Sequence, residues 1–378
     1  MNFETLIVHG ISNGDTKTGA ISFPIYQTAT FKHLGLNKST GYDYSRDTNP
    51  TREEAEKTIA KLENGKYGLA FSSGVAAITC CIHLFNSGDH IILSDDLYGG
   101  TVRLFNDTFS QYGITCSFID TTDTKKIKNS IKPNTKAIFI ETPSNPLLKV
   151  TDIKAVSDIS IQSNLILLVD NTFLTPFYQK PLNLGADIVI HSGTKYLSGH
   201  NDSLSGLIVT NKEFLYKKLK NIQMTTGAIL SPFDSWLLLR GIKTLSIRLK
   251  KSQQNAIKIS DFLQTDPNVS KVYYTGLKDF DGYETNAKQS SGFGSTISFK
   301  VKDKYMVKKI LDNVKIISFA ESLGGVETLI TYPYTQTHAD VPDYIKKRLG
   351  IDEFLLRISV GIEDSDDLIN DLKNAINL

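Results

Sequence analysis

The stretch TDIKAVSDISIQSNLILLVDNTF, residues 151–173, sets a helical pattern directly before an apolar run that ends on an aspartate. The same alternation recurs on both sides of it. Apolar runs GLAF (68–71), HIIL (90–93), TCSFI (115–119), KAIFI (136–140), LILLVD (165–170) and ADIVI (186–190) are separated by helical or turn-rich stretches. Short apolar strands interleaved with helices predict an α/β fold, a mostly parallel sheet covered by helices. Ligands of such sheets bind in the crevice beyond the carboxyl ends of the strands. Five strand ends then bring polar and aromatic groups to one rim: Ser72 to Gly74, Asp96 to Tyr98, Glu141 to Pro143, Asp170 to Thr172, and His191 to Lys195.

The rest of the chain divides around this region. Residues 1–50 are rich in Gly, Thr, Ser and Asn and read as an extended arm, so the first regular element is predicted as the helix TREEAEKTIAKLENG (51–65), stopping at Gly65. Residues 51–245 form the main unit. Residues 246–378 change character, with KVYYTG, STISFKV, KIISFAES and ETLITYP set among helices, and read as a smaller α+β domain with a largely antiparallel sheet.

Composition narrows the function classes. The 378 residues are 40% hydrophobic, enough for a sizeable core, and 42 Lys+Arg against 40 Asp+Glu leave no electrostatic hold on nucleic acid or an acidic membrane. Small-molecule partners are expected. Cys80, Cys81 and Cys116 show no metal-ligand spacing, and no metal is expected. The N-terminus lacks an apolar signal region and no run approaches a membrane span, so a reducing cytoplasm is the expected compartment.

Lys195, in HSGTKYLSGHND at the crevice end of ADIVI, is the first candidate for chemistry. A partly desolvated lysine has a lowered pKa and becomes an amine nucleophile toward an aldehyde. If that aldehyde is pyridoxal 5'-phosphate, a carboxylate, a flat stacking group and a phosphate cradle must share the rim. Asp170 would face the ring nitrogen, or else cap the next turn. Tyr98 would stack on the ring, or else pack in the core. Backbone N–H groups of Gly74 and Val75 begin a helix and suit an anion, with Ser192 and Thr194 as further donors. Arg46, in the arm, either lies in solvent or binds a phosphate, and an arm that packs nowhere on its own chain would reach a neighbouring subunit. Arg357, on the face of FLLRISVGIE shared with Ser359, pairs either with a carboxylate of the chain or with that of a substrate.

These residues, with YSRDTNPTR, FSSGVAAI, LYGGT, ETPSNPLL, VDNTF, HSGTKYLSGH, ESLGGVETLI, THAD and LLRISVGIEDSDDLI, resemble the pyridoxal-phosphate enzymes of cysteine and methionine metabolism over nearly the whole chain. The resemblance implies an aspartate-aminotransferase-like fold (fold type I of the pyridoxal-phosphate enzymes) with pyridoxal 5'-phosphate as cofactor. It implies that Lys195 joins the cofactor and moves protons, Asp170 meets the ring nitrogen, Tyr98 stacks and serves as a second acid or base, and Thr172 lies near the ring. Gly74, Val75, Ser192 and Thr194 would hold the phosphate, with Tyr44 and Arg46 supplied by a partner subunit. Asn145, Ser322 and Arg357 would hold the substrate carboxylate region. The family is typically a homotetramer built from dimers that share active sites. Val75 stands where the family often has methionine, and Gly100 where methionine gamma-lyases carry cysteine. Glu321, before Ser322, is similar to the gamma-synthases and gamma-lyases, where it would read the amino group of cysteine or cystathionine.

Loops SPFDSWLLLRGIKTLSIRL and ITYPYTQTHADVP resemble bacterial cystathionine gamma-synthases that use O-acetylhomoserine. The expectation is therefore gamma-replacement, forming cystathionine from an O-acylhomoserine and cysteine. The alternatives are gamma-elimination, direct sulfhydrylation of O-acetylhomoserine, and a non-catalytic relative that only binds. A nucleotide-binding α/β protein is set aside, because there is no G-x-x-x-x-G-K-[ST] and GFGSTI lacks the third glycine.

Overall fold

The computed structural model describes all residues from 1 to 378 except Asn13, Asp340, Pro342 and Leu378. Asp340, which ends the THAD motif, thus lies outside the described residues.

Seven strands form the large sheet: β1 (Tyr67–Phe71), β2 (His90–Ser94), β3 (Thr115–Ile119), β4 (Thr135–Glu141), β5 (Ile166–Asp170), β6 (Ile188–Ser192) and β7 (Gly206–Thr210). Their order is β1-β7-β6-β5-β4-β2-β3. The central pairs are parallel, and only β7 runs antiparallel, to β6 on one side and β1 on the other. The fold is thus the mostly parallel α/β sheet that the alternation predicts. β7, drawn from SGLIVT, was not among the expected strands.

Strand alternation explains how this sheet is covered. Ile138, Ile140, Leu167, Val169 and Val189 belong to one apolar cluster, while Ala137, Phe139, Leu168, Ile188 and Ile190 belong to the other. Successive residues face opposite sides, so a continuous apolar run feeds two cores at once. The connections after β2 and β4 leave in opposite directions, to β3 and to β5, so the crevice opens between these two neighbours.

The arm is not wholly extended. A helix α1 (Phe3–His9) precedes the expected first helix and buries Leu6 and Ile7. Helix α2 (Pro50–Leu62) is capped by Asn49, whose side chain accepts from Thr51 N and Arg52 N. It ends before Gly65, because Asn64 already takes a left-handed turn at φ 59°.

A second sheet of β8 (Val269–Tyr273), β9 (Thr296–Val301), β10 (Ser318–Phe319), β11 (Leu329–Thr331) and β12 (Leu355–Ser359) has the order β10-β11-β12-β9-β8. All its pairs are antiparallel except β10 with β11. The helix Leu245–Thr265 is common to both units: Leu245 and Leu249 pack in a core of the large sheet, Ala256, Ile259 and Leu263 in that of the small one. No linker separates the two sheets.

Candidate active site

Lys195 follows β6 in a turn, where Lys195 N donates to Ser192 O at 3.2 Å. Its Nζ donates to Ser322 Oγ at 2.7 Å. Burial, then the Arg357 guanidinium, lowers its pKa to about 8, against a smaller upward pull from Glu321. The side chain is partly buried and gives up its proton more readily than a surface lysine. Ser322 takes φ 95°, a backbone conformation that a non-glycine residue adopts only under local constraint, and this brings its hydroxyl to the lysine.

Asp170 ends β5. Its Oδ1 accepts from Thr172 N at 2.9 Å and Thr172 Oγ1 at 2.6 Å, which leaves Oδ2 for another donor. Thr172 Oγ1 also accepts from Ser192 N at 2.8 Å and so fastens the ends of β5 and β6 together. Burial pushes the Asp170 carboxyl up, opposed by the Thr172 bonds and by His191. Glu141, at the end of β4, is pushed well up by burial and then by the charge of Asp170. A buried acid and a half-buried one at adjacent strand ends favour a cation opposite Asp170.

The candidate anion cradle lies where β1 turns into helix α3 (Gly74–Ile82). Ser73 caps this helix by accepting from Ala76 N, and Ala77 N donates to Ser73 O, which leaves the N–H groups of Gly74 and Val75 to face outward with the helix dipole. A Cβ at Gly74 would stand 2.9 Å from Ser192 Cβ, so only glycine lets that helix end meet the Ser192 turn. Thr194 departs from its expected role in part. Its Oγ1 accepts from Ser205 N at 3.0 Å and donates to Ser205 O at 3.3 Å, so the hydroxyl already ties two loops together.

Tyr98 is half-exposed at the start of helix α4 (Gly99–Arg103), and its N donates to Glu141 Oε2 at 3.0 Å. A Cβ at Gly100 would lie 2.4 Å from the Tyr98 ring, so a larger residue there would displace the ring. Tyr44 and Arg46 are exposed on the arm, the guanidinium 5.2 Å from the ring centroid. Among the described residues neither bonds to the cradle. Arg52 is the residue that presents them: fully buried, it donates from Nη1 to Ser45 O at 2.6 Å and from Nη2 to Asp47 O at 2.7 Å, on either side of Arg46.

Arg357, on β12, crosses from the small sheet to the large one. Its Nη1 donates to Asn145 Oδ1 at 2.7 Å, and its Nη2 to Ser322 O at 2.8 Å and Thr331 Oγ1 at 3.3 Å. The guanidinium is buried, its Nε has no partner, and neutral groups fill its other described bonds. A buried cation without a carboxylate suits an incoming one. Glu321 is exposed beside Ser322, in the wall of a cavity of about 650 Å³ shared with Thr194, Asp202 and Asp234. Three acids, Asp202, Asp234 and Glu321, line it.

These groups fit pyridoxal phosphate: Lys195 for the aldehyde, the open oxygen of Asp170 for the ring nitrogen, and a glycine-bounded helix end for the phosphate. Among the described residues no helix is long and apolar enough to cross a membrane.

Comparison with known proteins gives the family. The family model described as Cys/Met metabolism PLP-dependent enzyme matches residues 4–377. The chain is 50% identical over 376 residues to a cystathionine gamma-lyase of Bacillus subtilis, covering 100% of this chain and 99% of that protein. It is 48% identical over 373 residues to a cystathionine gamma-synthase/O-acetylhomoserine (thiol)-lyase of the same organism, covering 99% and 96%. The crystal structure of cystathionine gamma-lyase from Lactobacillus plantarum complexed with L-serine matches with a TM-score of 0.97 at 44% identity, over 99% of this chain and 98% of that one. With a partly buried lysine, a half-buried acid and a candidate anion cradle on one rim, the chain belongs to the pyridoxal-phosphate-dependent enzymes of cysteine and methionine metabolism, and its cofactor is pyridoxal 5'-phosphate.

Proposed function

We propose that the protein acts at the γ-carbon of homoserine-derived amino acids, joining an O-acylhomoserine, O-acetylhomoserine first, to cysteine as cystathionine. The observation that carries this reading is Glu321, which lines an acidic cavity and stands one residue before the serine that meets the lysine. An ammonium at the far end of cysteine or cystathionine suits that carboxylate.

When bound, pyridoxal phosphate supplies an aldehyde for the substrate amine and an electron sink for the charge left at Cα. The chain supplies the rest. Arg357 and Asn145 grip the substrate carboxylate and fix which bond at Cα lies toward the lysine. Lys195 Nζ, freed from the cofactor and held by Ser322, takes the α-proton and returns it. Tyr98 covers the ring and is placed to serve as a second acid or base. Gly74, Val75 and Ser192 hold the phosphate, joined by Thr194 once its hydroxyl turns from Ser205 O, and completed by Tyr44 and Arg46 of a partner subunit. On this reading residues 51–245 hold the cofactor, 246–378 close the substrate side, and the arm of residues 1–50 reaches across a dimer within a cytoplasmic homotetramer.

Gamma-elimination of cystathionine is the second reading, favoured by the 50% identity to a protein named cystathionine gamma-lyase. Both use the same grip and the same lysine. Supplying O-acetylhomoserine with cysteine, or cystathionine alone, separates them. Cystathionine formed faster than it is broken down supports replacement, and the reverse ratio moves the assignment to the lyase.

A further inference from the structure

A buried polar network that none of these roles uses ties the strand ends together. Glu63, just past the end of α2, is fully buried, and its Oε1 accepts from His191 Nε2 at 2.7 Å and from Asn171 Nδ2 at 3.0 Å. Asn171 in turn exchanges two bonds with Gln179, through Nδ2 to Gln179 O and Oδ1 from Gln179 Nε2, both at 2.9 Å. Gln179 Nε2 also donates to Thr142 O at 3.0 Å. Thr142, Asn171 and His191 stand at the ends of β4, β5 and β6, the three strands that deliver Asn145, Asp170 and Lys195. Strand alternation turns His191 to the face opposite Ser192.

Burying a carboxylate is costly, and this one is only half satisfied, since Glu63 Oε2 and His191 Nδ1 have no partner. Apolar residues would fill the space more cheaply. What they would not do is fix two neighbouring strand ends through one acceptor.

We propose that Glu63 is a positioning residue: through His191 and Asn171 it holds the ends of β5 and β6 in the register that lets Asp170 and Lys195 engage one cofactor. The favourable effect of His191 on the charged form of Asp170 points the same way. The inference rests on the reading that Asp170 and Lys195 hold pyridoxal phosphate.

The test compares Glu63→Ala, Glu63→Gln and Ile59→Ala as holoenzymes, reading cofactor release on dilution, the visible circular dichroism of the bound cofactor, and the thermal midpoint. Ile59 is a fully buried residue of the same helix and core, so its truncation is the packing control. Glu63→Ala should release the cofactor roughly tenfold faster, the order seen when the outer partner of a ligand-holding group is lost, and should lose visible dichroism. Glu63→Gln keeps an acceptor and should stay close to the unaltered protein. Ile59→Ala should lower the midpoint and leave the cofactor signals unchanged. Should Glu63→Ala not fold, Asn171→Ala removes one arm of the network and is read in the same way. Unchanged release and dichroism in Glu63→Ala or its substitute, or an equal loss in Ile59→Ala, would overturn the inference. An unaltered protein that takes up no pyridoxal phosphate would instead sink the cofactor reading on which it rests.

Discussion

Replacing Lys195 by alanine removes turnover and the visible absorbance of the bound cofactor together. On the proposed reading the side chain has two duties, as the amine that anchors the cofactor and as the base that takes the α-proton. A positioned acid or base is worth about 10²–10⁴-fold, so turnover should fall by at least about 10⁴-fold when the anchor is lost as well. The lowered pKa adds a pH signature. The unprotonated amine is the nucleophile, and it populates as pH rises through about 8. Covalent uptake of pyridoxal phosphate by cofactor-free protein should therefore rise about tenfold per pH unit below that value and level off above it. A rate still climbing at pH 10.5, the ordinary lysine value, would contradict the buried, cation-flanked setting described for this residue.

Arg357→Lys should lower kcat/KM by less than this, while the cofactor stays bound. The substitution keeps a positive charge but loses the planar fork that holds Asn145 and Ser322 and, on the proposed reading, the substrate carboxylate as well. Losing two charge-assisted bonds corresponds to about 3–4 kcal/mol, or roughly 10²–10³-fold in kcat/KM, most of it appearing as a raised KM. Cofactor absorbance should be unchanged. A lowered thermal midpoint with kcat/KM intact would make Arg357 a packing residue instead.

Much of this site is legible in the sequence because it follows from strand ends. β4, β5 and β6 announce themselves as apolar runs, and Glu141, Asp170 and His191 to Lys195 come directly after them. What stays hidden depends on pairings across long stretches of chain. Arg357 meets Asn145 across 212 positions, and nothing in FLLRISVGIE says which partner it takes. Glu63 reads as an ordinary acid at a helix end in KLENG. Its burial appears only when Asn171 and His191, 108 and 128 positions away, fold against it. Ser322 carries no sign of its left-handed backbone, and α1 is too short to show a periodic pattern. Thr194 was expected as a free donor, yet its neighbour Ser205 occupies the hydroxyl from both sides, a contact that requires the β7 turn to be in place.

Action at the γ-carbon is read from what the holoenzyme makes of cystathionine alone. Cleavage at Cγ–S gives cysteine, 2-oxobutyrate and ammonia, whereas cleavage at Cβ–S gives homocysteine, pyruvate and ammonia. Cysteine and 2-oxobutyrate are expected in equal amounts, with cystathionine formed when O-acetylhomoserine and cysteine are supplied. Homocysteine and pyruvate as the main products would contradict it.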